Sequence, residues 1–422
     1  MHPVIRALRP VDGGPRTLIG SPHESVFNAT AAAVDGQAVP GRLPASSLTF
    51  DPVEADPLRV AVVGCGDVAL RRYVPALAAL SPRVQVVTCC DSRLERAEHV
   101  ASSFGAGSAP IRSCDRLEDL LDEPPDALFN LTPAPEHAAV SEAALAAGAH
   151  VYSEKPLAGS VEDADRLVEL ARSRRRLLMC APAIGVAPLV RWLRALVDAR
   201  RLGSPTLCTG FVGNLGPAAW REYTGDASVF YGKTVGPLVD MGVYALHAFV
   251  EIFGPIRRVQ AMGGVAIPYR SVRAGPHAGR GIEVEGADQL LVHLDFGGGC
   301  LGRLIASFAV PASRTPWLEF HFSDRTVTIG GETDRGVRGP VDVFVDDDSS
   351  LALSAWIRSL QPPDGGRDDS VIPLGARHFV AAVLGEEKPE LTAEKARHVL
   401  EACVLAVTSL ADGRAHELTT QP

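Results

Sequence analysis

The chain lacks any uninterrupted apolar run near the ~18 residues that a membrane-spanning helix needs, which argues against a membrane anchor. It lacks a surplus of positive charge. Its 41 Lys and Arg stand against 50 Asp and Glu, a net charge of −9, so neither nucleic acid nor an anionic membrane surface is expected as the main partner. Its eight cysteines show no metal-ligand spacing, so no metal is expected, and a reduced, cytoplasmic compartment is the simplest reading. There is no internal repeat. The start also lacks the basic residues and continuous apolar core of a secretory signal. What remains is an ordinary globular composition, 46% hydrophobic and 22% charged, on a chain long enough for two buried cores.

The first 57 residues differ from the rest. They hold 8 of the 32 prolines and two aromatic residues, Phe27 and Phe50. Low hydrophobicity and many breakers predict an arm that is disordered, or ordered only against a partner surface; an over-long start would look the same.

Chemistry begins at Val60-Ala-Val-Val-Gly-Cys-Gly-Asp-Val-Ala69. Val60 to Val63 read as a strand buried on both faces of a parallel sheet. Gly64 turns the chain, Gly66 lets the backbone approach a pyrophosphate, and Ala69 stands at the third small position of G-x-G-x-x-G/A. A helix through Leu70, Val74, Leu77 and Leu80 would present its N-terminal N–H groups to phosphates. Gly64, Cys65, Gly66, Asp67 and Val68 are therefore candidate cofactor residues. A second strand from Val84 ends at Asp91, 22 residues after Ala69, where a carboxylate accepts hydrogen bonds from an adenosine ribose. That position favours NAD. Ser92 and Arg93 pull toward the 2′-phosphate of NADP.

Strand and helix then alternate. Ala127 to Leu131 is a buried strand running into Leu131-Thr-Pro133 and His137; His150 to Ser153 is another, followed by Glu154-Lys-Pro156; Leu177 to Cys180 is a third. This βαβ succession predicts a doubly wound parallel sheet over residues 58–181. From residue 182 onward the strands are longer and alternate, as Gln289 to Phe296 and Cys300 to Val310, with short turns such as Gly297-Gly-Gly299. That pattern predicts an open, mostly antiparallel sheet in a second α/β domain, 182–422. Arg270 to Gly281 reads as a surface loop.

Two stretches carry the reaction chemistry. Lys155 ends a parallel strand at the edge where open α/β sheets bind ligands; burial and an oxidised nicotinamide would both lower its pKa. Its bland alternative is an ion pair with Glu154 on a solvated turn. In Gly236-Pro-Leu-Val-Asp-Met-Gly-Val-Tyr-Ala-Leu-His247, the residues Asp240, Tyr244 and His247 fall at i, i+4 and i+7 and share one face of an otherwise apolar helix. Trp220, Arg221 and Tyr223 precede it and could line a sugar pocket.

Four stretches in order, Gly64-Cys-Gly-Asp-Val-Ala69, Asn130-Leu-Thr-Pro133, Glu154-Lys-Pro-Leu157 and Asp240-Met-Gly-Val-Tyr244, resemble the Gfo/Idh/MocA family of glucose-fructose oxidoreductase, inositol dehydrogenase and related proteins. The resemblance covers about residues 58–419. It implies a Rossmann domain, a C-terminal α/β domain on an open sheet, NAD(P)-linked oxidation or reduction of sugar-like alcohols, and a homodimer or homotetramer. It further implies that Lys155 transfers a proton, that Asp240 orients substrate and lysine, and that Tyr244 stands at the catalytic position, where many members have histidine. Leu131, Thr132, Pro133, His137, Glu154 and Lys155 would border the cofactor. One departure is Lys233-Thr-Val-Gly-Pro237, where members commonly have a glycine run. Two other readings stay open: a nucleotide-binding regulator without turnover, and a glycosidase that uses NAD transiently.

Overall fold

The computed structural model describes residues 50–54, 57–105, 110–221, 223–330, 341–345, 355–360 and 371–422. The expected arm lies outside these except for its last residues. There Asp51 pairs with Arg175 at 2.6 Å and the Val53 N–H donates to the Val383 carbonyl at 3.0 Å.

The first layer is a six-stranded parallel sheet: β1 (Leu58–Val63), β2 (Val84–Cys90), β3 (Arg112–Cys114), β4 (Ala127–Asn130), β5 (His150–Ser153) and β6 (Leu178–Cys180), in spatial order 3-2-1-4-5-6. That order reverses between β1 and β4, which opens the ligand crevice above their C-terminal ends. Helices α1 (Val74–Ala78), α2 (Leu94–Ser102), α3 (Leu117–Leu121), α4 (His137–Ala146) and α5 (Val161–Ser173) connect the strands. β1 and β4 are buried along almost their whole length because helices cover both faces. Sequence periodicity missed β3, a three-residue edge strand too short to show a pattern.

After α6 (Pro188–Asp198) comes the second sheet: β7 (Pro205–Gly213), β8 (Arg258–Gly264), β11 (Gln289–Gly297), β12 (Cys300–Ser307), β13 (Leu318–Phe322), β14 (Arg325–Ile329), β15 (Val341–Val345), β16 (Ala355–Leu360) and β17 (His416–Glu417). Its order is 16-15-14-13-7-12-11-8-17, antiparallel throughout except for β7 against β12. Leu290, Val292, Leu294 and Phe296 of β11 point inward, and α7 (Val243–Phe253) lies on that side, where Phe249 stacks edge-on with Phe320 of β13. The opposite side leaves Met262, Leu291, Leu301 and Leu207 exposed, and their strands pair side by side.

Arg270 to Gly281 is not a plain surface loop. Tyr269–Ser271 (β9) and Gly281–Glu283 (β10) pair as a hairpin, and Arg270 is buried. Its guanidinium meets Asp288 at 2.6 Å, donates to the Phe308 carbonyl and lies over the Tyr231 ring. A buried arginine needs such partners, and periodicity cannot reveal them.

The closing helices cross between the layers. α8 (Val371–Val383) sets Phe379 against Phe129 and Tyr152 on one face of the parallel sheet. α9 (Ala393–Asp412) puts Ala393, Ala396 and Leu400 into the core of the other face. Farther along α9, the Ser409 hydroxyl accepts from the Ala261 N–H of β8. The end of the chain therefore joins both sheets.

Candidate active site

Gly64 has a φ of +89°, and a Cβ there would lie 2.5 Å from the backbone of Leu131 and Thr132. Only glycine lets β1 turn this close to the β4 loop. Gly66 faces open space, which backbone contact with a pyrophosphate requires. The following turn, Ala69–Tyr73, is π-helical, and α1 continues it. Asp91 accepts the Cys65 N–H at 2.9 Å and the Arg93 N–H at 3.0 Å, so the ribose-position carboxylate is fastened to the phosphate turn itself. Open backbone at Gly66 beside a fixed carboxylate fits NAD. Asp67 is engaged by Arg71 at 2.8 Å and by the Thr224 hydroxyl of the second domain at 3.2 Å. Val68 is half-buried, and Ser92 and Arg93 are exposed beside Asp91.

Lys155 does not pair with Glu154. Its Nζ donates to the Asp240 carbonyl at 2.7 Å and to Asp240 Oδ1 at 2.9 Å, and lies 5.8 Å from the centre of the Tyr244 ring. Glu154 instead accepts from the Tyr73 hydroxyl at 2.6 Å and from the Lys155 N–H at 3.1 Å. Nothing in the sequence separates Tyr73 from an ordinary core aromatic. The expected fall in the lysine pKa is corrected. Burial does push it down, but the charges of Asp240 and Tyr244, the Asp240 hydrogen bond and Glu154 outweigh burial, and the net direction is upward. Asp240 is buried, and its Oδ2 has no hydrogen-bond partner among the described residues. A buried carboxylate oxygen left open beside a lysine is a ready acceptor for a bound hydroxyl.

His247 is buried. Leu238–Gly242 forms a π-helical turn before α7 begins. That turn departs from the 3.6-residue period on which a shared face of Asp240, Tyr244 and His247 rests. His247 lines a cavity of about 10 Å³ that Lys155, Cys180 and Leu400 also line. Burial, with Lys395 and His398 nearby, drives its pKa to about 3.

Expected at the cofactor, His137 is buried, with Nδ1 2.6 Å from the Pro156 carbonyl and Nε2 2.8 Å from the Thr132 carbonyl. Asn130 organises the same corner, donating to Ser141 and the His137 carbonyl and accepting the Thr132 hydroxyl at 2.6 Å. Leu131 is buried beneath Thr132, and Pro133 is exposed. Across the crevice, Trp220, Tyr223 and Phe230 are half-buried with ring centres 5.7 to 6.2 Å apart. Tyr223, Phe230 and Met241, the neighbour of Asp240, pack on one cluster.

Fold and site together define a two-domain dinucleotide-binding protein, with a parallel nucleotide sheet and a lysine–aspartate pair where the domains meet. Residues 58–181 match the oxidoreductase family with an NAD-binding Rossmann fold, and residues 190–328 match the GFO/IDH/MocA C-terminal domain. The chain belongs to the Gfo/Idh/MocA family. It is 34% identical over 217 residues to a dTDP-3,4-didehydro-2,6-dideoxy-alpha-D-glucose 3-reductase of Streptomyces violaceoruber, covering 51% of this chain and 59% of that one. The enzyme of the same name from Streptomyces antibioticus is 32% identical over 281 residues, covering 63% and 81%. The D-glucoside 3-dehydrogenase of Escherichia coli K12 is 30% identical over 201 residues, covering 47% and 55%. The chain thus spans little more than half the length of the first and third of these. Levoglucosan dehydrogenase, solved with NADH, shares the fold at a TM-score of 0.73 and 18% identity, covering 86% of this chain and 99% of that one.

Proposed function

We propose that the protein is an NAD-dependent dehydrogenase or reductase that interconverts a secondary alcohol and a ketone on a sugar, a sugar derivative or a cyclitol. One observation carries this reading: Lys155 Nζ is held by the Asp240 carbonyl and Oδ1 beside Tyr244, with Asp240 Oδ2 left open. The substrate hydroxyl hydrogen-bonds to Asp240 Oδ2, which sets it against Lys155 and Tyr244. In the oxidative direction Tyr244, as the phenolate that the adjacent Lys155 ammonium favours, takes the hydroxyl proton and becomes the neutral phenol, while the ammonium stabilises the oxyanion that forms. Bound NAD supplies the hydride acceptor. Gly64, Cys65, Gly66 and Val68 hold its pyrophosphate end and Asp91 its ribose, with NAD preferred over NADP because Asp91 repels a 2′-phosphate. Thr132, Pro133 and Glu154 border the nicotinamide side.

The two 3-reductases and the 3-dehydrogenase named above act, by their names, at position 3 of a hexose, which makes that position the first to test. The half-buried Trp220, Tyr223 and Phe230 suit the less polar face of a sugar ring. Residues 58–181 serve the cofactor and 182–422 the substrate and assembly. The exposed apolar side of the second sheet supports a homodimer or homotetramer, with a partner sheet covering it. The eight buried free thiols suit a reducing cytoplasm.

The decisive experiment follows reduced-nicotinamide absorbance over a panel of hexoses, glycosides, sugar nucleotides, sugar acids and inositols. Turnover of at least one, with NAD(H) favoured, is expected. No turnover across the panel, with cofactor binding intact, would overturn the enzymatic reading in favour of a nucleotide-binding regulator.

A further inference from the structure

His137 opens α4, and its ring reaches two loops at once. Nδ1 lies 2.6 Å from the Pro156 carbonyl, in the turn that carries Lys155, and Nε2 lies 2.8 Å from the Thr132 carbonyl, at the end of β4. Carbonyl oxygens only accept. A neutral imidazole has one N–H, so only the imidazolium can donate to both. With one proton gone, a ring lone pair faces a carbonyl lone pair at hydrogen-bond distance, and one contact must open.

We propose that His137 is a proton-dependent clamp that positions the lysine turn: doubly protonated, it ties Thr132 to Pro156 and holds Lys155 in place, and on losing a proton it releases one of the two loops. The groups that face the ring oppose one another. Burial, the Lys155 ammonium and the N-terminus of α4 disfavour the cation, while the two carbonyls and Glu154 favour it. The net direction is downward from the ordinary 6.5, so release falls on the acid side of neutrality and the clamp is complete only below it. Asn130 and Ser141, which hold the backbone at the start of α4, are neutral and leave that balance unchanged. The clamp's link to turnover rests on the role proposed for Lys155; its effect on the loops does not.

Calorimetric titration of NAD⁺ between pH 5 and 8 tests it without any substrate. Wild type should lose about 5-fold in affinity as pH rises across that range, the scale of one weakened charge-assisted hydrogen bond. His137→Gln can satisfy one carbonyl only, so it should hold the weaker affinity at every pH, within about 2-fold. A constant wild-type to His137→Gln ratio across the range would overturn the clamp. In case the variant does not fold, the wild-type ring is read directly by long-range nitrogen–proton NMR. Two protonated ring nitrogens at pH 5 and one at pH 8 support the clamp, and an unchanged state refutes it. Failure of the sugar panel would leave both readouts standing, so the two proposals fail separately.

Discussion

Which side chain takes the substrate proton can be decided by exchanging the two candidates one turn apart on α7. His247, with its pKa near 3, lies about 3.5 units below an ordinary imidazole. Placing a proton on it therefore costs roughly 5 kcal/mol more than on a free histidine, more than a thousandfold in rate were it the base. Tyr244 stands beside the Lys155 ammonium, 5.8 Å from its ring centre, a charge that favours the phenolate needed to accept a proton. Tyr244→Phe removes one hydroxyl and keeps the ring, so kcat should fall by about 100-fold or more, the scale of general acid–base catalysis. His247→Gln keeps a polar group of similar size and removes only an imidazole that resists protonation, so kcat should stay within about 3-fold. The assay is steady-state kinetics of both variants on the substrate the panel identifies, with melting curves to confirm folding. Near-normal turnover for Tyr244→Phe with a collapse for His247→Gln would refute the reasoning.

Three further outcomes are expected. Lys155→Met should abolish turnover while leaving NAD⁺ affinity within about 3-fold; it also strands the Asp240 carboxylate, so urea denaturation should show a loss of about 3 kcal/mol, the scale for breaking a buried pair. Asp91→Ala should reduce the preference for NADH over NADPH by at least about 10-fold in calorimetry, since the repelling carboxylate is gone; an unchanged preference would remove Asp91 from that role. His150 and His398 are buried and held to about 4, mainly by burial, and each accepts a backbone N–H, from Leu177 and Ile256. Their folded pKa values lie below the unfolded 6.5, so the unfolded chain binds more protons in between. Stability should be full above pH 6.5 and fall toward pH 4 by on the order of 3 kcal/mol per histidine. A urea midpoint that stays flat from pH 7 to 4.5 would contradict this.

The sequence alone determined the parallel sheet and its nucleotide edge. Runs such as Val60 to Val63, a positive-φ glycine after them and a carboxylate at the end of the next strand are local features, each legible because backbone sterics and burial act over a few residues. The long alternating strands of the second sheet were legible for the same reason. Their pairing order was not, because the one parallel neighbour, β7 against β12, joins segments some 90 residues apart. Only the tertiary structure decided the partners of polar groups. Glu154 and Lys155 are adjacent in the chain and would pair on a free turn, yet packing hands Glu154 to Tyr73 and Lys155 to Asp240. The helical period assumed 3.6 residues per turn from Asp240 to His247; the π-turn ahead of α7 departs from it, a backbone adjustment with no sequence signal of its own. His137 sits in a motif that pointed to the cofactor, and the two carbonyls that claim it come from different strand ends. Hydrophobic pattern is written along the chain, but a buried donor's acceptor is chosen by whichever loops the fold brings within 3 Å of it.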